Sequence, residues 1–581
     1  MKKSIVHTAS RFILKVAGES GQGINSVGEI LAEALKDSGY HVFAYREYPS
    51  LIRGGMASYQ VEFSDQPITA PSRNCDILVC VSRLSLHSYL RDVTVGGRII
   101  HSVEHVTFTP EEQSYLAENK IAVEYINATR IAIEAGGRAL LANTVFLGII
   151  WSILGYELPV LEAVVIEKFG KRKHLLEANK TALKVGHSFE LEQITALQLS
   201  YKPDKTWQDS LMITGNQSLS LGAIKAGVRA FYAYPMTPAS SILSFLASVY
   251  HKTGMLVKQA EDEITAAQLA LGSMAMGTRA LTGTSGGGFD LMTETVSLAG
   301  MIEVPFVCVL AQRPGPATGL PTWTSAGDLN LALYSAHGEF PRMVLAASDA
   351  LSAFELIAHG FNFAEEFQIP VIVLTEKQIA ESLFNHAPSD FSRNIPIIRG
   401  LVSVHNRKDL KPSDRYGLTD SGVSLRWNPG EAGADYDLNS DEHLEDGSLT
   451  EDALTAQAMM DKRFRKLETV RIKLPEPILY GDPDAAVTFI GWGSPKTAVL
   501  DAISQGADCN YLHFEYLWPL RTEKIIEVFK NAKKTVIIEQ NATGQFAQLV
   551  AATTQLVPDA HLRKYNGRPF FVEEILEYLK V

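Results

Sequence analysis

The sequence predicts an α/β protein with three domains in series, and three observations predict it. Apolar runs of strand length alternate with amphipathic helical stretches in three separate tracts. A polar segment without clear periodicity parts the first tract from the second, and a stretch dense in acids and glycines parts the second from the third. No repeat of fixed short period runs through the chain.

The first tract occupies residues 1–190. RFILKVAG, HVFAY, DILVCVS and RIIH read as strands and Ile24 to Lys36 as an amphipathic helix, a doubly wound α/β pattern. A linker over 191–210 follows, containing KPDKTWQD. The second tract, 211–390, carries strands AFYAY, RALTGT, PFVCVLAQ and PVIVLT between helices such as Glu263 to Met276 and Leu351 to Glu365. Residues 391–474 form an acidic excursion, densest from Glu431 to Asp452, expected to be tied down by a partner surface. The third tract, 475–581, contains AAVTFIGWG, a helix from Pro495 to Ser504, KTVIIEQ and a helix from Phe546 to Thr553.

With 581 residues, 46% hydrophobic and 20% charged, each tract can bury a core of its own. A net charge of −12 without any Lys/Arg block argues against nucleic acid as a partner. Cys75, Cys80, Cys308 and Cys509 are too scattered for a cluster motif and read as small buried hydrophobes in a reducing compartment. His7, Ser10 and Arg11 interrupt any signal-peptide core, and the longest apolar run, Thr144 to Leu154, suits a buried helix and is too short for a bilayer. The expected location is the cytoplasm.

Five motifs sit where strands hand over to helices. Gly18-Glu19-Ser20-Gly21-Gln22-Gly23 could present backbone N–H groups to an anion, or simply make a tight turn. Its glycine order is not the dinucleotide one, although Glu47 could serve as a ribose-binding acid. In Tyr234-Pro235-Met236-Thr237-Pro238-Ala239, Thr237 reads either as an N-cap ahead of Pro238 or as part of a ligand loop. Glu261 and Asp262 suit a helix N-terminus as ordinary dipole partners, while Glu263 lies nearest the buried helix body, where a carboxyl suits proton sharing.

Thr284-Ser285-Gly286-Gly287-Gly288 lets a bulky ligand approach the backbone, or is a flexible turn. Gln312 to Thr322 stiffens a loop with prolines and glycines around Arg313, which could fork onto a carboxylate or lie idle on the surface. The last four loops belong to one tract, and all follow strands. Open parallel sheets gather their ligands at that edge.

These residues together resemble the 2-oxoacid:ferredoxin oxidoreductases, in particular large subunits with a gamma domain fused ahead of the alpha domain. GESGQGINS and YPSLIRGG look like the gamma-type domain. YPMTPASS, EDEITAA, TSGGGFDLMTE and QRPGPATGLPT look like the pyrimidine-binding domain for thiamine diphosphate. GWGS and EQNATGQ look like the transketolase C-terminal-like domain.

The resemblance implies that Glu263 hydrogen-bonds the aminopyrimidine, with Ser285, Gly286 and Gly287 against the cofactor. It places Thr237 and Arg313 on the 2-oxoacid, frames the pocket with Tyr234 and Thr322, and leaves Gly18, Gly21 and Gly23 as a candidate coenzyme A or anion loop. Met236 and Ala239 stand where the family usually has isoleucine and serine.

The sequence contains no Gly-Asp-Gly followed by paired asparagines and no cluster motif. Magnesium (Mg2+) and a 4Fe-4S cluster are therefore expected on a small beta subunit, in an αβ heterodimer or a dimer of such pairs. The resemblance implies that ferredoxin takes the electrons and coenzyme A the acyl group. The fused order most resembles the 2-oxoglutarate enzymes, with pyruvate and branched-chain 2-oxoacids as alternatives. A nicotinamide-dependent dehydrogenase and a non-catalytic assembly subunit are the readings from other classes.

Overall fold

The strands of the N-terminal sheet lie in the order Ala122–Tyr125, Val93–His101, Cys75–Cys80, Phe12–Ser20, Gly54–Ser64, His41–Glu47, Leu383–His386, Leu211–Thr214. They belong to a computed structural model that describes residues 5–7, 11–51, 54–170, 173–199, 202–402, 409–430 and 435–580. Ile52 and Arg53 of YPSLIRGG and residues 431–434 of the acidic stretch lie outside the described residues. The chain divides into two compact units. One comprises Met1–Ile213, Ser382–Asp390 and Phe571–Glu574; the other comprises Thr214–Glu381, Phe391–Phe570 and Ile575–Val581.

The first unit departs from a purely doubly wound sheet. Phe12–Ser20 and the three strands on its one side run parallel, but Gly54–Ser64 inserts antiparallel between Phe12–Ser20 and His41–Glu47. Its sequence explains the insertion, because Ala57, Tyr59, Val61 and Phe63 alternate with Ser58, Gln60 and Glu62 at the period of a strand. The polar face is buried as well, and Glu62 is satisfied there by Arg11, Gln60 and the Ser72 N–H. The run Thr144 to Leu154 falls in the buried helix Ala142–Ile153, with its last residue at the cap. Gly148 and Gly186 let that helix touch Lys173–His187, since a Cβ at either would come within 2.3 Å of the other's backbone. Glu124 receives the N–H groups of Glu192, Gln193 and Ile194, so the expected linker is fastened within this unit.

In the second unit a sheet of seven strands runs Leu256–Gln259, Ala230–Ala233, Ala280–Thr284, Phe306–Gln312, Pro370–Glu376, Met343–Ala346, Tyr516–Trp518. All are parallel except the last. Val307 to Leu310 and Val371 to Leu374 are buried on both faces, as continuous apolar strands of a covered parallel sheet must be. A second sheet runs Ile478–Tyr480, Cys509–Phe514, Val487–Trp492, Thr535–Glu539, Ala560–Arg563. Tyr516–Trp518, from the third tract, completes the edge of the middle sheet and makes the two tracts one body. The four cysteines are buried and unpaired, and burial pushes the Cys80 thiol up to about 12. Among the described residues no helix is long and apolar enough to cross a membrane.

The described part of the acidic excursion is held by this chain itself, where a partner surface was expected. Its helix Ala453–Lys473 sends Lys462 and Lys466 onto the buried carboxylate of Glu303. Arg463 forks onto Glu442 at 2.9 and 2.6 Å, and Glu365 gathers Arg279, Arg399 and Arg426. Charges removed from water survive only when paired in this way. Burial opposes ionisation of Glu303, yet the two lysines hold its carboxyl well below the usual carboxylate range. Its contribution to stability is therefore complete above the ordinary value of 4.5 and is lost as the pH falls below it. Glu303→Gln should cost about 3–5 kcal/mol in urea unfolding at neutral pH. The loss should shrink in acid, where wild type forfeits the same contribution.

Candidate functional site

Four loops leave the carboxyl ends of neighbouring parallel strands in the second unit. The first follows Ala230–Ala233. Its helix starts only at Ser240, with Ala239 at the cap, so Thr237 does not cap it as one sequence reading had it. Thr237 belongs instead to the loop, and its carbonyl accepts a hydrogen bond from Arg313 Nη1 at 2.8 Å. Buried Asn216 fixes the loop from below, donating to the Pro238 carbonyl at 2.8 Å and to Ser241 Oγ at 2.7 Å. Tyr234, 40% exposed, stands at the rim.

The second loop follows Leu256–Gln259 and opens the helix Glu263–Ala275. Asp262 caps this helix by accepting the Thr265 N–H at 2.7 Å, the ordinary role expected of it. Glu263, the first helical residue, is only 4% exposed, and its Oε1 has no hydrogen-bond partner among the described residues. Gly288, two residues into the neighbouring helix Gly286–Met301, makes the room for it. A Cβ there would lie 2.6 Å from Glu263 Oε1 and 2.1 Å from Thr284 Oγ1. Thr284 Oγ1 in turn lies 3.8 Å from Met236 Sδ, which joins the first loop to this cluster. Ser285 Oγ, at the head of the glycine helix, is also buried without a partner among the described residues.

The last loop follows Phe306–Gln312. Arg313 is half-buried, and Thr322 is buried farther along the same loop. Burial weakens the proton affinity of the guanidinium, and the nearby Asp328 carboxyl opposes that effect. Asp328 and Asn216 were not singled out in the sequence, and Gln312 figured there only as the start of the arginine loop. An aspartate ahead of an apolar run reads as a plain helix cap, yet the Asp328 side chain caps nothing.

Beyond Thr322 the loop is fastened by the C-terminal sheet. Thr324 Oγ1 donates to Glu376 at 2.7 Å, and the Ser494 N–H of GWGS donates to the same carboxyl at 3.0 Å. The EQNATGQ segment accepts the Ala326 N–H on the Gln540 carbonyl and reaches Gly327 and Asn330 through Gln545. Glu539 saturates its own helix terminus by accepting from Phe546 and Ala547. Both motifs therefore hold the substrate-type loop in place.

The N-terminal glycine segment belongs to the other unit. Gly18 lies inside the strand Phe12–Ser20, while Gly21 and Gly23 adopt φ of 93° and 79° ahead of the helix Ile24–Asp37. Asn143 Nδ2 occupies the space a Cβ at Gly23 would need and donates to the Gln22 carbonyl at 2.6 Å. The reading of Glu47 as a ribose acid is corrected. Its buried carboxyl accepts from Tyr89 at 2.9 Å and from Tyr45 at 3.2 Å.

Residues 221–452, which contain all four loops, match the family model described as pyruvate flavodoxin/ferredoxin oxidoreductase, thiamine diphosphate-binding. Residues 13–189 match the one described as pyruvate ferredoxin/flavodoxin oxidoreductase. The chain is 30% identical to the alpha subunit of 2-oxoacid:ferredoxin oxidoreductase 2 from Aeropyrum pernix, across 98% of this chain and 97% of that one. The chain belongs to the 2-oxoacid:ferredoxin oxidoreductase family, as an alpha subunit.

Among further relatives, the 2-oxoglutarate oxidoreductase subunit KorA of Mycobacterium tuberculosis is 29% identical over 98% of this chain and 91% of its own length. A solved 2-oxoglutarate:ferredoxin oxidoreductase from Magnetococcus marinus, with 2-oxoglutarate, coenzyme A and succinyl-CoA bound, superposes with a TM-score of 0.90 at 29% identity. The overlap covers 98% of this chain and 99% of that one.

Proposed function

We propose that this chain is the alpha subunit of a 2-oxoglutarate:ferredoxin oxidoreductase. The reaction is coenzyme A-dependent oxidative decarboxylation of 2-oxoglutarate to succinyl-CoA and carbon dioxide with electrons passed to ferredoxin, or its reversal. One observation carries the reading. A buried carboxyl with an unpartnered oxygen, Glu263, abuts a glycine that leaves it room, while Arg313 is anchored on the neighbouring Thr237. The relatives that bear 2-oxoglutarate in their names support the choice of substrate.

The residues fit thiamine diphosphate. Glu263 Oε1 retains its full capacity to hydrogen-bond a ring nitrogen, and the Ser285 hydroxyl and the open face of Gly287, beside Gly286, suit a bulky ligand against the backbone. When bound, thiamine diphosphate supplies a nucleophilic carbon and a sink for the electrons left by loss of carbon dioxide.

Glu263 would share a proton with the aminopyrimidine ring nitrogen, which favours its reactive imino form. Arg313 spends one N–H on Thr237 and would fork its remaining donors onto the substrate's 1-carboxylate. The Thr237 hydroxyl would sit at the oxo group, with Tyr234 and Thr322 as the frame. Gly18, Gly21 and Gly23, ahead of a helix N-terminus, are the candidate loop for the anionic groups of coenzyme A. Mg2+ and the 4Fe-4S cluster would come with the beta subunit in an αβ heterodimer or a dimer of such pairs.

The test is viologen-dye reduction by the complex co-purified with its beta subunit, using 2-oxoglutarate, pyruvate and a branched-chain 2-oxoacid, with and without coenzyme A. The highest kcat/KM is expected for 2-oxoglutarate, with coenzyme A required. A preference for pyruvate, which both family descriptions carry, would replace the substrate assignment and leave the class intact. Glu263→Gln should lower turnover about a hundredfold or more with the complex still assembled, and near-normal turnover would remove that carboxyl from the chemistry.

For Arg313→Lys the KM for 2-oxoglutarate should rise about tenfold or more, the equivalent of one charged hydrogen bond. An unchanged KM would place the carboxylate elsewhere.

A further inference from the structure

The loop that follows Phe306–Gln312 bears a second charged group that the reaction scheme leaves without a role. The Asp328 backbone N–H donates to Gln312 Oε1 at 2.9 Å, and Gln312 Nε2 donates to the Thr375 carbonyl at 3.3 Å, so the residue is tied to the sheet. On its other side the loop is gripped through Ala326 and Gly327 by the C-terminal segment. The carboxyl faces the first residue of the glycine helix, because a Cβ at Gly286 would lie 3.0 Å from Oδ2 and 3.4 Å from Oδ1. Oδ2 is buried and has no hydrogen-bond partner among the described residues.

An oxygen buried without a partner is destabilising, so a partner that arrives with the ligand accounts for it. Among the described residues no cation lies within ion-pair distance of the carboxyl; Arg313 of its own loop and Asp290 of the glycine helix act on it through space. Burial, and then Asp290, push Asp328 up to about 6 against the pull of Arg313.

We propose that Asp328 is a positioning residue of this site, the carboxylate that balances Arg313 through space until the carboxylate of a 2-oxoacid takes over that role by displacement. On displacement it takes one proton from solvent and turns its O–H toward the substrate carboxylate. The inference rests on Arg313 as the carboxylate-binding residue. Two carboxylates beside one guanidinium in a half-buried site do not both stay ionised, and the one exchanging protons with water yields. One anion enters with one proton, so the charge of the cleft is unchanged. The 1-carboxylate common to every 2-oxoacid is what is sensed.

Substrate binding is thereby linked to proton uptake. The KM should rise with pH above the free-site value of about 6, by about tenfold per pH unit at most. The experiment uses the assembled complex and the inert isostere N-oxalylglycine, titrated calorimetrically in two buffers of different ionisation enthalpy. The KM for 2-oxoglutarate is followed in parallel between about pH 5.5 and 8, a window that brackets an acid shifted in this way.

Wild type should take up a proton and show the rising KM, whereas Asp328→Asn should do neither. Asp290→Asn, at an exposed position, should keep the uptake and move the pH dependence to lower pH, because it removes a like charge from Asp328. Proton uptake that survives in Asp328→Asn, or is missing from wild type, overturns the inference. Arg313→Gln separates the two assignments. If it leaves N-oxalylglycine binding unchanged, the carboxylate assignment itself is wrong; if it abolishes binding while Asp328→Asn retains uptake, only the role of Asp328 falls.

Discussion

The missing side chain at Gly288 is the constraint on which the site depends. A carboxyl group enters a protein interior only where space and a compensating partner exist, and here the space is created by one residue of a neighbouring helix. Any Cβ at that position would strike Glu263 and Thr284 together. Two strand ends would then lose their contact, along with the first-loop residue Met236 that touches Thr284. The three successive glycines thus have unequal reasons. Gly287 meets nothing, Gly286 admits the Asp328 carboxyl, and Gly288 admits Glu263.

The guanidinium depends on a different support. Arg313 begins a loop with little regular structure, and such a loop holds a fork in register only if its far end is fixed. Glu376 supplies that fixation by receiving Thr324 from the loop and Ser494 from the C-terminal sheet, and burial raises the pKa of this carboxyl against both hydrogen bonds. Gln540, Asn541 and Gln545 continue the grip as far as Asn330. The C-terminal tract therefore fastens the loop that begins at Arg313.

What the sequence made legible follows from the range of the interactions involved. Parallel strands buried on both faces leave continuous apolar runs, so Ala230–Ala233, Ala280–Thr284, Phe306–Gln312 and Pro370–Glu376 could be read directly; Leu256–Gln259, short and mostly exposed, Met343–Ala346, of four residues, and Tyr516–Trp518, which comes from the third tract, could not. Gly54–Ser64 was overlooked because half its face is polar and the hydrogen bonds that justify this come from Arg11 and Ser72, distant in sequence. The acidic excursion misled for a related reason. Its acids and bases look solvated until Glu303, Glu365 and Glu442 are seen to pair with groups from 21 to 159 residues away. Asp328 left no signal, since its meaning lies in Arg313 and Gly286 and not in its neighbours along the chain.

Each loop of the site, or the helix it opens, also sets a large apolar side chain in solvent: Tyr234, Ile264 beside Glu263, Leu291 on the glycine helix, and Leu320 in the arginine loop. Scattered apolar residues need no explanation, but these four, on successive strand-end loops or the helices they open, coincide with the polar groups to which the proposed chemistry is assigned. Among the described residues Glu263, Ser285 and Asp328 each keep an unpartnered buried atom at the same sheet edge. Exposed apolar groups beside unsatisfied polar ones are what the proposed half-site would present, to be completed when a second subunit covers the former and its ligands satisfy the latter. A self-sufficient pocket would have arranged the reverse, with its polar atoms paired internally and its apolar side chains turned inward.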